Sequence, residues 1–563
     1  MRCQDAVVDA LSKEKVRYVF GMSSGHSTAV LYDALHEHPE ITPVLVRHEE
    51  AASFMASVWY QMTGEPGICS GTAGPGVAHL VPGIWEAYLG CHSIIAVNPA
   101  VADKFYGWGM LQEIPQRETF LPVTKWSWKL HQPGKVQWMM RRAFQIASNP
   151  PPGPVFLEIP IDVGDSAVEL PEYTPCVRPI RIRADLERVK EAADLILKSE
   201  RPILAVGGGV LRSGAFAELR DFAEMLSIPV CRTETGMGAM PDDHPLVVGG
   251  LGFWRTKPAK QVYEEADLII AVGWHMEEIG TLGWIPLPPR AKLIQVDVDP
   301  NMIAKNYVPD IPLVGDAKLV LADLIEVLKT KLQKPGVLRR TERAAMIAKA
   351  AKDYEDEILS ELTSEAVPIH PARFYHDVQK AVPRDATYVF DVGAHIIWDG
   401  SYPYFKMYTP YHASPSDHAC VGFGVGGALA AKLARPDKPC ACICGDAGVY
   451  MMGQELATQR EYNAPVSTIF MNNSSIGEIK YWQRELYGRS IATDFTNPYD
   501  FVKFAEAQKA EGFHVEKPAD IIPTVKEALK ACEEGVPALV SIVTDWHYLP
   551  PGFHEFFNMV KKK

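Results

Sequence analysis

The sequence predicts an α/β protein made of three doubly wound parallel-sheet domains, and three observations predict it. The chain has 563 residues, more than a single hydrophobic core organises. Short apolar runs alternate with helical segments through three successive blocks, the pattern left by a parallel sheet with crossover helices. Between the blocks lie stretches without such a pattern: residues 165–183 carry prolines, turn formers and charges, and residues 333–368 are charged and helical.

Taken in order, the first domain (residues 1–165) reads as a helix over 6–13, a strand over 18–21, a helix over 28–36 and a strand over 44–46. That strand runs into Arg47-His48-Glu49-Glu50. A helix over 51–63 and a strand over 67–70 follow, then the turn Gly71-Thr72-Ala73-Gly74-Pro75-Gly76 and a last strand over 155–159. The second domain (185–330) shows strands over 202–206, 228–231, 268–272 and 292–296, a turn at Gly207-Gly208-Gly209 and a helix over 214–226. The third (366–550) holds apolar strands over 440–444 and 466–471, with a helix over 452–462 between them.

Composition narrows the function classes. Net charge is −13 with a pI near 5.8, and no basic patch stands out beyond Lys561 to Lys563, read as a solvated tail, so a nucleic-acid partner is not expected. No apolar run reaches the ~20 residues that span a membrane, and the first residues lack a signal core. A cytoplasmic protein is the expectation. The ten cysteines include no C-x-x-C, and Cys440, Cys442 and Cys444 alternate along a strand, so they read as reduced core residues.

The chemistry concentrates at Gly445-Asp446-Ala447-Gly448, which follows one apolar strand and precedes the next, with Asn472-Asn473 at the end of that second strand. A glycine-flanked strand-to-helix turn lets backbone N–H groups approach a phosphate closely. One carboxylate (Asp446), one amide oxygen (Asn473), a nearby carbonyl (Ser475) and two phosphate oxygens make an all-oxygen shell suited to Mg2+ or Ca2+. A bare GDxG is more often a solvated turn; Asn473, 473 − 446 = 27 positions on, changes that reading. This spacing resembles the signature of the thiamine-diphosphate (ThDP) enzymes, GDG followed by NN, with Ala447 in place of the second glycine.

The resemblance extends along most of the chain. Val46-Arg47-His48-Glu49-Glu50-Ala51-Ala52 is similar to the RHE-x-x-A-A segment of the acetolactate synthase and benzaldehyde lyase branch. Phe20-Gly21, Gly74-Pro75-Gly76, Gly153-Pro154-Val155, Gly422-Phe423-Gly424 and Gly477 with Trp482-Gln483 fall in the order that branch shows. It implies a pyrimidine-binding, a central and a diphosphate-binding domain, with the cofactor between the first domain of one chain and the third of another. A homodimer at least, and a homotetramer as the expected assembly, follow.

Site residues come with the resemblance. Glu49, expected at the end of a buried strand, is the carboxyl that hydrogen-bonds N1′ of the cofactor and favours the tautomer that removes the C2 proton. Thr72 and Gly74 belong to the cofactor pocket; Gly393 and Val421 contact the aminopyrimidine, Val421 standing where a larger apolar residue is usual. Ala394, His395, Gly445, Ala447 and Gly448 lie near the diphosphate, with Ile476 and Gly477 beside the metal shell. His26 stands where benzaldehyde lyase carries a catalytic His, and Gln112 where both enzymes place a glutamine. Such a pair can deprotonate a carbinol and reprotonate an alkoxide. With Val421, Glu478 and Trp482 it makes the substrate pocket, and an ionised Glu478 would disfavour an anionic 2-keto acid. His412 and His418 are further candidates.

In the central domain Gly207-Gly208-Gly209, Asp297-Val298-Asp299 and Gly315-Asp316 resemble an FAD or ADP groove. Trp274-His275-Met276-Glu277-Glu278 stands where flavin-binding members carry Asp-Asp-Arg, which argues against FAD. The leading expectation is a ThDP- and Mg2+-dependent lyase or carboligase acting on 2-hydroxyketones and aldehydes, benzaldehyde lyase-like, with a small carbonyl compound as substrate. The alternative is a decarboxylating 2-keto acid carboligase of the acetolactate synthase type, followed by a 2-hydroxyacyl-CoA lyase or oxalyl-CoA decarboxylase. A catalytically silent cofactor-binding subunit is the reading from another class, and an intact Glu49 argues against it.

Overall fold

The computed structural model describes residues 1–178, 180–332, 341–415 and 418–561, and within them three parallel six-stranded sheets flanked by helices. The first contains β1 (Tyr18–Gly21), β2 (Thr42–Leu45), β3 (Gly67–Ser70), β4 (Ile94–Ala100), β5 (Trp126–Lys129) and β6 (Val155–Pro160), ordered β2-β1-β3-β4-β6-β5. The second contains β7 (Pro202–Val206), β8 (Val230–Arg232), β9 (Val247–Gly250), β10 (Leu268–Val272), β11 (Lys292–Asp297) and β12 (Ile311–Val314), ordered β12-β11-β10-β7-β8-β9. The third contains β13 (Thr387–Phe390), β14 (His412–Ala413), β15 (Cys440–Gly445), β16 (Ser467–Asn472), β17 (Glu511–Val515) and β18 (Ala538–Val543), ordered β14-β13-β15-β16-β18-β17.

The first and third sheets therefore share one topology, and in both the order reverses next to the strand that comes first in sequence. At such a reversal the loops part in opposite directions and leave a crevice at the carboxyl edge, where parallel sheets bind ligands. The two domains pack helix to helix: Glu49–Thr63 lies against Phe423–Ala434, with the Phe54 and Phe423 ring centroids 5.4 Å apart. Each such side chain removed from water contributes about 1.5–3 kcal/mol.

Several expectations shift locally. The strand before Glu49 is β2, an edge strand with only Val44 fully buried, because the reversal of order at β1 leaves it with one neighbour. Its outer side is closed by the third domain: Glu455 Oε1 accepts from Arg47 N (2.9 Å) and His48 N (3.2 Å), and Leu45 N donates to the Tyr462 hydroxyl (2.7 Å). The helix expected over 452–462 is two helices, Asp446–Met452 and Glu455–Glu461, interrupted at Gly453 and Gln454. Gly208 and Gly209 open a short helix, Gly208–Ser213, instead of forming a plain turn. Lys561 ends the helix Pro551–Lys561 and pairs with Glu485 at 2.8 Å, so it is not a free tail; Lys562 and Lys563 lie outside the described residues, as do 333–340 of the charged segment. Cys440, Cys442 and Cys444 are buried free thiols, and no helix is long and apolar enough to cross a membrane among the described residues.

Candidate active site

In the third domain the strand passes into the helix without a loop. β15 ends at Gly445 and the helix begins at Asp446. Asp446 is 2% exposed; its Oδ2 accepts from Asn473 N (3.1 Å) and its Oδ1 from Ser474 N (3.2 Å). Burial pushes its carboxyl up to about 7, against the lowering effect of these amides. Asn473 Oδ1 in turn accepts from the Ser475 amide (3.2 Å) and hydroxyl (2.8 Å), so Asp446, Asn473 and Ser475 converge, with Ile476 and Gly477 leading into the helix Gly477–Tyr487. No group of three or more His, Cys, Asp or Glu side chains among the described residues could hold a metal. A hard divalent ion fits here through one carboxylate and neutral oxygens, completed by phosphate oxygens of a ligand.

The floor of this crevice is built by Asp391, which the sequence reading passed over. Its Oδ1 accepts from Val392 N and Gly422 N, both at 2.8 Å, tying the end of β13 to the turn after Val421. Its Oδ2 has no hydrogen-bond partner among the described residues and lies 1.9 Å from where a Cβ on Gly448 would stand. Only glycine fits at 448. The His395 ring packs against Gly393 and Gly445, 3.3 Å from a Cβ on the latter; burial lowers it to about 4, so it is a neutral imidazole. Ala394 and Ala447 line the same edge, each half-buried in the first turn of its helix, and Val421 is half-buried just before Gly422.

In the first domain the counterpart positions carry side chains. Glu49 opens the helix Glu49–Thr63 and is 6% exposed. Its Oε1 lies 2.7 Å from the position of a Cβ on Gly76, and its Oε2 is 3.0 Å from His79 Nδ1. The Thr72 hydroxyl meets that of Ser27 at 3.2 Å, and Gly74 N donates to Gln116 Oε1 at 2.8 Å. Both ends of the Gln112 amide come within 3.5 Å of a Cβ on Gly25, beside His26, while Gly74 abuts the Gln112 backbone. Glu49, Thr72, Gly74, Gln112 and the His26 turn thus form one cluster. His26 itself is exposed, and the loop that carries Gln112 exposes Trp108 (80%) and Leu111 (89%).

Glu478 and Trp482 share one face of the helix Gly477–Tyr487. Burial raises the Glu478 carboxyl, opposed by a hydrogen bond from Trp482, and Trp482 packs edge-on against Phe553, Phe556 and Phe557 of the last helix. His412 is buried at the backbone of Glu234, and His418 stacks on Trp85. In the central domain, Gly209, Asp297, Gly315 and Asp316 do meet, in a groove of about 1060 Å3 shared with Arg212 and the first domain.

Two crevices of the same topology, one with the oxygen-rich corner of Asp446, Asn473 and Ser475 and the other with the Glu49 carboxyl, are the arrangement a ThDP-dependent enzyme requires. Family models agree: the N-terminal TPP binding domain of the thiamine pyrophosphate enzymes matches residues 1–119, their central domain 189–324, and their C-terminal TPP binding domain 391–542. The probable acetolactate synthase large subunit of Methanocaldococcus jannaschii is 34% identical over 98% of this chain and 94% of its own length. The acetolactate synthase isozyme 3 large subunit of Escherichia coli is 30% identical over 96% and 94%, and the acetolactate synthase of Mycobacterium leprae 31% over 93% and 84%. The chain belongs to the thiamine pyrophosphate enzymes, in their acetolactate synthase branch.

Proposed function

We propose that this chain is a decarboxylating carboligase for 2-keto acids of the acetolactate synthase type, using ThDP and Mg2+, with the site completed by a second copy. The observation that carries the reading is the match to proteins named acetolactate synthase over nearly the whole chain. It favours the alternative over the benzaldehyde lyase-like reaction expected first. Glu478 does not oppose the change: burial raises its carboxyl, which weakens the case for a fixed charge that repels a 2-keto acid.

ThDP, when bound, supplies the carbon nucleophile and the electron sink that decarboxylation needs. Asp446, Asn473 and the Ser475 carbonyl hold Mg2+, and the backbone at Gly445 to Gly448 with His395 receives the diphosphate. Glu49 would donate to the pyrimidine N1′, and Gly393 and Val421 would hold the ring. Gln112 and His26 orient the substrate oxygen and move its proton. A partner copy accounts for the bare loop around Trp108 and Leu111 and for exposed Ile476, Ile479 and Tyr487 on the opposite half-site. Several relatives are named large subunits, and a smaller regulatory chain is the corresponding partner proposal.

Incubation with ThDP, Mg2+ and either pyruvate or benzoin tests this. CO2 release from pyruvate with formation of a 2-hydroxy-2-methyl keto acid is expected; aldehyde release from benzoin without CO2 from pyruvate would return the lyase reading.

A further inference from the structure

Glu49 is almost enclosed. One carboxyl oxygen faces the Gly76 backbone and the other meets His79 Nδ1 at 3.0 Å. His79 closes the short helix Pro75–His79 that follows the Gly71 to Gly76 turn, and its side chain is 47% exposed against 8% for Glu49. A carboxyl that must hand a proton to a bound base needs it replaced, and a half-exposed imidazole in direct contact is the group suited to that.

We propose that His79 is a positioning and proton-supplying residue that acts through the carboxyl of Glu49. The proton balance closes: Nδ1–H passes its proton to Glu49 Oε2 as Glu49 gives one up to N1′, and Nε2 takes one from solvent. The reverse sequence resets the pair, with no redox partner required. The titratable groups facing His79 are Glu49, Glu50 and His48. The His48 ring stacks on His79 with centroids 4.6 Å apart, but His48 Nδ1 accepts from Glu50 N at 3.2 Å, and burial lowers its affinity for a proton. Of the stacked imidazoles, His79 is therefore the one whose Nδ1 reaches Glu49. Glu50 Oε2 lies 3.9 Å from His48 Nδ1.

The inference rests on Glu49 facing N1′, and two experiments keep the two claims apart. In the full-length apo protein, the NMR signal of His79 Nδ1 should move in Glu49→Ala, which removes the oxygen it meets at 3.0 Å; an unchanged signal overturns the coupling. In the holoenzyme, His79→Gln, which keeps a donor but cannot titrate, should slow hydrogen–deuterium exchange at the cofactor C2 by about tenfold and flatten its pH profile, with ThDP affinity within about twofold. Unaltered exchange and profile overturn the proposal. If Glu49→Gln itself exchanges like wild type, the assignment of Glu49 fails, and this inference with it.

Discussion

The first and third sheets have the same strand order and open the same crevice, yet they furnish it differently. After β1, β2 and β3 the first domain presents His26, Glu49 and the Thr72 turn; after β13, β14, β15 and β16 the third presents Gly393, Val421, Asp446 and Asn473. Holding an anion and a metal takes backbone amides, one acid and room to approach, so glycines and small residues dominate there. Moving protons takes side chains, and Glu49, His79, Gln112 and His26 gather where the other half-site has almost none. The floor of the third-domain half is internally hydrogen-bonded, with Ile476, Ile479 and Tyr487 exposed beside it, whereas the first-domain half leaves His26 exposed beside an apolar loop. Both halves therefore keep apolar residues at their rims, Trp108 and Leu111 on one and Ile476, Ile479 and Tyr487 on the other.

Substitutions on the two sides should separate these roles. The largest effect belongs to Glu49→Gln, expected to cut turnover by about 10²–10⁴-fold with the melting temperature and ThDP affinity little changed. Full activity in that variant would place proton transfer elsewhere.

Next comes the latch between the halves. Glu455 accepts from Arg47 N and His48 N, just before Glu49, and burial pushes it up to about 7 from the usual 4.5. The folded chain thus keeps a proton that the unfolded chain sheds, so this group's contribution to stability declines as pH rises from about 4.5 to about 7, by roughly 1.4 kcal/mol per unit. Glu455→Gln, which still accepts from both amides, should flatten that slope and resist urea better at pH 8. An identical slope would mean the buried acid is not the cause.

Gly448→Ala should destabilise by about 1–3 kcal/mol and weaken diphosphate binding, because its Cβ would stand 1.9 Å from Asp391 Oδ2. Normal melting and binding would show that Asp391 yields freely. The smallest effect is expected from Glu478→Gln: burial raises this carboxyl, so the swap to a neutral amide changes less than at an exposed acid, and pyruvate kcat/KM should shift by less than about threefold. A gain of tenfold would restore Glu478 as a charge filter.

Much of this was legible in the sequence because it is local. β1, β3, β7 and β10 lie at the expected positions, since each is an apolar run bounded by turn residues. Asp446, Asn473 and Ser475 converge as their spacing implied. The rest depends on partners remote in sequence: Glu455 bonds the amide of Arg47 across 408 positions, and nothing near either residue announces it. Asp391, two residues before Gly393, carried a local signal in Asp-Val-Gly after an apolar strand; its bond to Gly422 N, 31 positions away, did not. His79 sat in a run read only for its glycines, and its contact with Glu49 emerges because Pro75–His79 folds back over the start of the neighbouring helix. The helix over 452–462 broke at Gly453 and Gln454, where glycine's low helix propensity was a local signal the apolar pattern overrode in the reading.

The account holds that Glu49 of one copy serves the cofactor gripped by Asp446 of another. Co-expressing Glu49→Gln with Asp446→Ala, each inactive alone, tests it most directly. The co-expressed pool should regain about a quarter of wild-type activity, since by random pairing half of the dimers are mixed and each mixed dimer carries one intact site of two. Activity no higher than that of either variant alone would contradict it and place both residues in a site made by a single chain.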